Sequence, residues 1–195
     1  YLAFLDGEGG QSLFAHFNGL TVDGPLAVAL EHVSAKEGRA IGLVRSEERA
    51  FLQSDQAPDI YFEAAVRGKK RKELRRQKNR LSEDGVLTFA RYDDGHGLDA
   101  WIDEFLALER AGWKGESGSA LDCSDETRAL FREALNGASA QGRLERLDLR
   151  LDGKPLAMLV NFICPPGSFS FKTAFDEQYA RFSPGVLLQI ENLAL

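Results

Sequence analysis

Arg143-Leu-Glu-Arg-Leu-Asp-Leu-Arg-Leu151, Leu156-Ala-Met-Leu-Val-Asn-Phe-Ile-Cys164 and Ser168-Phe-Ser-Phe-Lys-Thr-Ala-Phe175 are three extended runs, separated by Asp152-Gly-Lys-Pro155 and Pro165-Pro-Gly167. In the first, Leu147, Leu149 and Leu151 alternate with charges, the pattern of a strand with one buried face. The second is apolar nearly throughout, as in a central strand covered on both sides. The third alternates Phe169, Phe171 and Thr173 with Ser170, Lys172 and Ala174. Short joints rich in turn formers make the three an antiparallel meander. After it, Ser183-Pro-Gly-Val-Leu-Leu188 opens a helix with Ser183 as N-cap and Pro184 at the first helical position. A strand feeding a Gly-containing loop and a helix start gathers free backbone amides and can hold an anion.

Working outward, Val86–Tyr92 is a further strand, ended by Asp93-Asp-Gly-His-Gly97. Asp99 is suited to cap a helix whose Trp101, Ile102, Phe105, Leu106 and Leu108 form a broad apolar face, closed by Gly112. Trp113–Ser119 reads as an exposed loop. Ser124 is placed to cap a second helix carrying Leu130, Phe131 and Leu135 and ending near Gly137. Strand, two helices, meander and helix describe an α/β (α+β) domain, a mixed, largely antiparallel sheet flanked by helices.

The first third carries no motif. Tyr1–Leu5 and Pro25–Leu30 read as strands, Ala40–Val44 as a weaker one. Ser12–Asn18 and Ser46–Leu52 read as short helical pieces, and Ile60–Val66 fits helix or strand. Gly68-Lys-Lys-Arg-Lys-Glu-Leu-Arg-Arg-Gln-Lys-Asn-Arg-Leu81 then holds eight of the 24 Lys/Arg and one of the 30 Asp/Glu. Leu74 and Leu81, one heptad apart, give it a narrow apolar stripe. Such a helix suits nucleic acid, phospholipid headgroups or a phosphorylated substrate, and equally a solvated linking helix paired with an acidic body. No aromatic residues interleave for base stacking.

At 195 residues, 44% hydrophobic and 28% charged, the composition is that of one domain or two small ones. No apolar run approaches the ~20 residues that span a bilayer. Two cysteines, Cys123 and Cys164, argue against a disulfide framework, so a reduced cytoplasmic setting is expected. The sequence opens on Tyr1 and stops about ten residues into a helix, which reads as a piece of a longer protein. His16, His32 and His96 have no spaced ligand partners, so no metal site is expected. Neither a Gly-x-Ser-x-Gly elbow nor a Walker motif is present.

Two stretches carry a family resemblance. Phe171-Lys-Thr-Ala-Phe-Asp-Glu-Gln-Tyr-Ala-Arg-Phe-Ser-Pro-Gly-Val-Leu-Leu188 resembles a segment of CelD-type acetyltransferases, a branch of the GNAT superfamily related to the FemAB aminoacyltransferases. Phe105-Leu-Ala-Leu-Glu-Arg-Ala-Gly-Trp-Lys-Gly-Glu-Ser-Gly-Ser-Ala-Leu121 is similar to the segment ending that family's first helix. With the basic helix, the resemblance covers positions 67 to 195. It implies a tandem arrangement, with 1–66 part of a first GNAT-like half and 67–195 the second half, stopping after the helix that follows the fourth strand.

The resemblance further implies an acyl-CoA donor, usually acetyl-CoA, and an amine acceptor attacking its thioester directly, with an amino sugar of cell-surface polysaccharide metabolism as the implied acceptor. The donor's pantetheine arm would lie along the strand edge at Phe171 and Thr173. Its pyrophosphate would meet Arg181, Phe182, Ser183, Gly185, Val186 and Leu187. The general loop pattern is Arg or Gln, two residues, Gly, one residue, Gly or Ala; Arg181 matches it, while Pro184 and Val186 depart from it, and proline removes one amide donor. Asp176 and Glu177 are the candidates for the base that deprotonates the amine, Asp176 ahead because it follows Phe175 directly. Tyr179 is the candidate proton donor to the leaving thiolate. Trp113 and Lys114 would line the acceptor site, and Lys172 faces either the cleft, where it would meet a substrate anion, or solvent. Two other readings stand beside this one: a FemAB-like aminoacyltransferase using aminoacyl-tRNA, and a GNAT-like scaffold that binds without catalysis.

Overall fold

The computed structural model describes Leu2–Gly7, residues 14–48 and residues 51–194. The chain forms two compact units, divided between Leu52 and Gln53.

In the first unit, Leu2–Gly7 (α1) and Pro25–Glu37 (α2) are helices. Both overturn the strands expected there. Pro25 occupies the first turn, where its missing N–H costs nothing, and Gly38 at φ 66° stops the helix thirteen residues later. The Ala- and Leu-rich run between them has no partner strand among the described residues and satisfies its backbone locally. Residues 40–44, expected as a strand, are irregular, as are 14–18 and 46–48; Ser12, Leu13, Arg49 and Ala50 lie outside the described residues. Arg39 forms an ion pair with Asp6 on α1.

The second unit is a four-stranded antiparallel sheet between two helical layers. Its strands, Leu87–Tyr92 (β1), Leu144–Leu151 (β2), Lys154–Cys164 (β3) and Gly167–Phe175 (β4), lie in sequence order. The helices are Pro58–Ala65 (α3), Gly68–Leu81 (α4), Leu98–Arg110 (α5), the single turn Trp113–Glu116 (α6), Asp125–Ala140 (α7) and Pro184–Asn192 (α8). Ile60–Val66 thus resolves to helix, and the loop expected at Trp113–Ser119 contains the α6 turn. Ser124 caps α7 as expected, its hydroxyl accepting the Thr127 N–H at 3.1 Å, and the helix runs on through Gly137 to Ala140. The N-cap of α5 is Gly97 in the left-handed conformation, which leaves Asp99 in the first turn.

One face of the sheet is covered by α5 and α7, packing Trp101, Phe105, Phe131 and Leu135 onto Met158 and Val160. The other lies under α4 and α8, where Leu74, Leu81, Leu187 and Leu188 meet Leu147, Leu149 and Leu159. An aromatic chain crosses the first layer: Trp101, Phe105 and Phe131 stack successively at 5.4 and 5.1 Å, and Phe171 bridges Phe131 and Phe162 at 6.3 and 5.2 Å.

Strand β2 is buried on both faces, not one. Arg146 and Asp148, which alternation assigns to solvent, lie beneath α5. Arg146 donates to the carbonyls of Asp94 (2.7 Å) and His96 (3.2 Å) and lies over the rings of Tyr92 and Trp101, pinning the loop between β1 and α5. Arg150 joins Asp148 (2.9 Å) to Glu104 of α5 (2.6 Å). Buried charges that have partners can occupy a core face.

Phe131→Ala is expected to destabilise the second unit by about 3–5 kcal/mol, and its exposed neighbour Leu130→Ala by under about 0.5 kcal/mol. Urea denaturation of both variants against the parent checks this contrast.

Candidate functional site

Two features meet at the C-terminal end of β4. The first is a cleft lined by Leu108 and Glu109 of α5, Gly112, Trp113 and Lys114, Thr173 to Phe175 of β4, and Glu177. The second is the start of α8, which contacts the same strand: a Cβ built on Gly185 would lie 3.6 Å from the Phe175 ring and 3.9 Å from the Thr173 methyl.

Glu109 holds the cleft together. It lies on the apolar face of α5, 3% exposed. Its Oε1 accepts from Lys114 Nζ and Lys172 Nζ, each at 3.0 Å, and its Oε2 accepts the Leu121 N–H at 2.8 Å. Burial pushes the carboxyl pKa up, but the Leu121 amide and then the two lysines outweigh burial and hold it below the usual glutamate range. Lys114 also donates to the Thr173 carbonyl on edge strand β4 (3.2 Å). Gly115 makes the tight turn of α6 possible, since a Cβ there would come within 1.8 Å of the Arg110 carbonyl oxygen.

Glu177 closes the cleft from the other side. Its Oε1 accepts the Trp113 N–H at 2.7 Å, while the Trp113 indole is 56% exposed. Glu177, Trp113 and Lys114 therefore line one cleft, while Lys172 meets Lys114 at Glu109 without lining it. Lys172 reaches the helical layer because β4 bulges between Lys172 and Ser170 opposite Val160 and Asn161. The extra residue is Phe171, so its ring also faces α7 and stacks there, while Thr173 faces α8.

Asp176 and Tyr179 do not join this group. Asp176 caps the 3-10 turn at Glu177–Phe182, accepting the Gln178 N–H at 3.0 Å, and its other oxygen pairs with Lys154 at 2.8 Å. Neither it nor Tyr179 lines the cleft. The Tyr179 ring packs against Phe182, with Lys154 above it. Of the two candidate carboxylates, Glu177 lines the cleft, whereas the oxygens of Asp176 are taken by the Gln178 N–H and by Lys154. Glu109 was not singled out from the sequence. Its signal is there, however, since it falls four residues after Phe105 and seven after Ile102, on the buried stripe of α5.

At α8, Ser183 is the N-cap but sits in the left-handed region, φ 54° and ψ 50°, and its side chain caps nothing. An extended N-cap serine would satisfy an amide of the first turn. Here, among the described residues, the amides of Gly185 and Val186 have no hydrogen-bond partner, while that of Leu187 donates to the Ser183 carbonyl (3.0 Å). Phe182 and Leu187 are buried; Arg181 and Val186 are exposed, the Arg181 guanidinium lying 4.6 Å from the Phe182 ring centre. Polar contacts beneath α8 seat it on the sheet. Asn161 Nδ2 donates to Glu145 (2.9 Å) and to Asn192 Oδ1 (2.7 Å), Gln189 Nε2 to Thr173 Oγ1 (3.5 Å), and Arg91 to the Glu191 carbonyl (2.7 Å).

Among the described residues no cluster of His, Cys, Asp and Glu could hold a metal ion, and no helix is long and apolar enough to cross a membrane. Residues 68–194 match the acetyltransferase (GNAT) domain family. A search of curated proteins returned no match.

Because the Glu109 carboxyl is held below its unfolded value, its stabilisation is complete above the ordinary glutamate range near about 4.3 and fades as pH falls through the lower folded value. Glu109→Gln is expected to lose about 2 kcal/mol at neutral pH and to flatten this acid limb. Thermal melts between neutral and acid pH, variant against parent, measure both effects.

Proposed function

From the premise that this chain belongs to the acetyltransferase (GNAT) domain family, we propose that it is an acyl-CoA-dependent N-acyltransferase of the CelD-like branch acting on an amine, with an amino sugar as the acceptor class and the cytoplasm as its setting. The observation that carries the reading is the pair of free amides, Gly185 and Val186, at the start of a helix packed against the same strand that floors the cleft.

These residues fit the donor. The two amides and the positive end of α8 attract a pyrophosphate, and the exposed Arg181 guanidinium, without an ion-pair partner among the described residues, adds a charge-assisted contact. Pro184 removes one amide from the general loop pattern, yet helix geometry leaves the next two free. Edge strand β4 runs beside the pantetheine arm at Phe171 and Thr173, the Thr173 carbonyl already accepting from Lys114, and Phe182, Ser183 and Leu187 shape the loop around it. When bound, acyl-CoA supplies a thioester whose acyl group passes to the amine nitrogen while CoA leaves as the thiol.

Within the cleft, Glu177 keeps one carboxylate oxygen on the Trp113 amide, which fixes its rotamer, and the other is available to take the proton of the acceptor amine. Trp113 presents an exposed aromatic face to the acceptor. Lys114 and Lys172 are held in place by Glu109 and orient polar groups of the acceptor. Asp176 and Tyr179 keep a supporting role, shaping the turn that carries Glu177 and Arg181. We extend the same reading to domain organisation, with 1–66 part of a preceding GNAT-like half and 67–195 the second.

Arg181→Ala is expected to weaken acetyl-CoA binding about tenfold by calorimetry. Glu177→Gln is expected to leave that affinity intact while lowering turnover about 10²–10⁴-fold, with glucosamine as the amine probe and released CoA thiol as the readout. Acetyl-CoA binding unaffected by Arg181→Ala would remove the pyrophosphate assignment, and unchanged turnover in Glu177→Gln would remove the base.

A further inference from the structure

The most cationic element of the chain, α4, supplies no side chain to the reaction proposed above and meets its site only where Gln77 Nε2 donates to the Arg181 carbonyl (3.0 Å). Its buried stripe is Leu74 and Leu81. Its two half-buried cations are used internally: Arg71 donates to the carbonyls of Glu63 and Val66, and Lys78 pairs with Glu191 at 3.5 Å and lies over the Phe89 ring. Lys70 pairs with Glu73 at 3.2 Å. That leaves Lys69, Lys72, Arg75, Arg76 and Arg80. All five are exposed and none has an ion-pair partner among the described residues. At 3.6 residues per turn they fall within about 140° of arc, centred opposite the Leu74–Leu81 stripe. The one acidic residue within the helix, Glu73, is taken by Lys70, and the next nearest in sequence, Glu63 on α3 and Glu83 and Asp84 after Leu81, lie beyond its ends.

Five unneutralised cations on one side of a helix cost self-repulsion and do nothing for the fold, because the apolar stripe and the contacts of Arg71, Gln77 and Lys78 seat the helix without them. We propose that this outward face of α4 docks on an anionic phospholipid bilayer. Three observations favour a lipid surface over nucleic acid. The cationic face is about 21 Å long and one helix wide, enough for a row of headgroups along a plane. It carries no aromatic side chain on which a base could stack, and Asn79 is its lone amide side chain. The rest of the chain has 16 basic against 29 acidic residues, so a polynucleotide running past the helix would meet repulsion. A flat bilayer meets only the near face, with the acidic remainder screened beyond about 8–10 Å. Docked in this way, the domain would work beside lipid-borne acceptors.

The test uses the full chain and sedimentation with vesicles of about 40 mol% phosphatidylglycerol in phosphatidylcholine, against phosphatidylcholine alone. Binding to the anionic vesicles at about 50 mM salt, lost near about 500 mM and absent on neutral vesicles, is expected. The triple variant Lys72→Gln/Arg75→Gln/Arg76→Gln should partition about a hundredfold more weakly while keeping the parent melting temperature. Failure of the parent to bind anionic vesicles overturns the proposal, as does undiminished binding of the folded triple variant. Displacement from the vesicles by a single-stranded RNA at equal phosphate concentration would assign the surface to nucleic acid instead.

Discussion

One buried carboxylate sets the geometry of the cleft. Glu109 belongs to α5, yet its two oxygens receive hydrogen bonds from Lys114 of α6, from Lys172 of β4 and from the Leu121 amide ahead of α7. Three other segments of the chain thus converge on one side chain of α5. Such a carboxylate is stable only while its partners stay in place, because an unpaired buried charge costs several kcal/mol. The same bonds hold Lys114 at the cleft, with Lys172 beside it, and bring Lys114 to the carbonyl of an edge strand. Packing and site chemistry are therefore the same set of contacts.

The opposite face of the sheet has its own device. The hydrogen bonds of Asn161 to Asn192, of Gln189 to Thr173 and of Arg91 to Glu191 tie α8 to β3, β4 and β1, and Phe175 and Thr173 abut Gly185 at its start. The left-handed conformation of Ser183 turns the chain into α8 without spending a side chain on capping. A non-glycine residue in that region carries strain, and strain of this kind collects where function needs it. Here it leaves two amides open at the junction of strand and helix.

Much of this was legible in the sequence because it is encoded locally. Asp152-Gly153, both at positive φ, makes the two-residue turn of the first hairpin, and the run of leucines and valine in β3 announces a strand covered on both sides. The stripes of α4, α5 and α7 follow the helical period. What the sequence concealed depends on partners far along the chain. Arg146 and Asp148 alternate as solvent-facing charges do, and only α5 and the loop after β1 bury them. The bulge at Phe171 inverts the facing of that side chain and arises from register, which no single strand specifies. Pro25–Leu30 has the composition of a strand; the helix there is decided by Pro25 at its start and Gly38 at its end. Asp176 and Glu177 are adjacent carboxylates; the sequence favours Asp176 for following Phe175 directly, and only the fold shows which of them lines the cleft.

The central claim is that the open amides at the start of α8 receive the donor's pyrophosphate. A ¹H–¹⁵N correlation titration of the full chain with CoA, which lacks the acyl group, tests it without any chemistry. The account predicts that the Gly185 and Val186 amide resonances shift downfield and saturate together, with the Leu187 amide, already bonded to Ser183, moving less. Saturable CoA binding that leaves Gly185 and Val186 unmoved would contradict it.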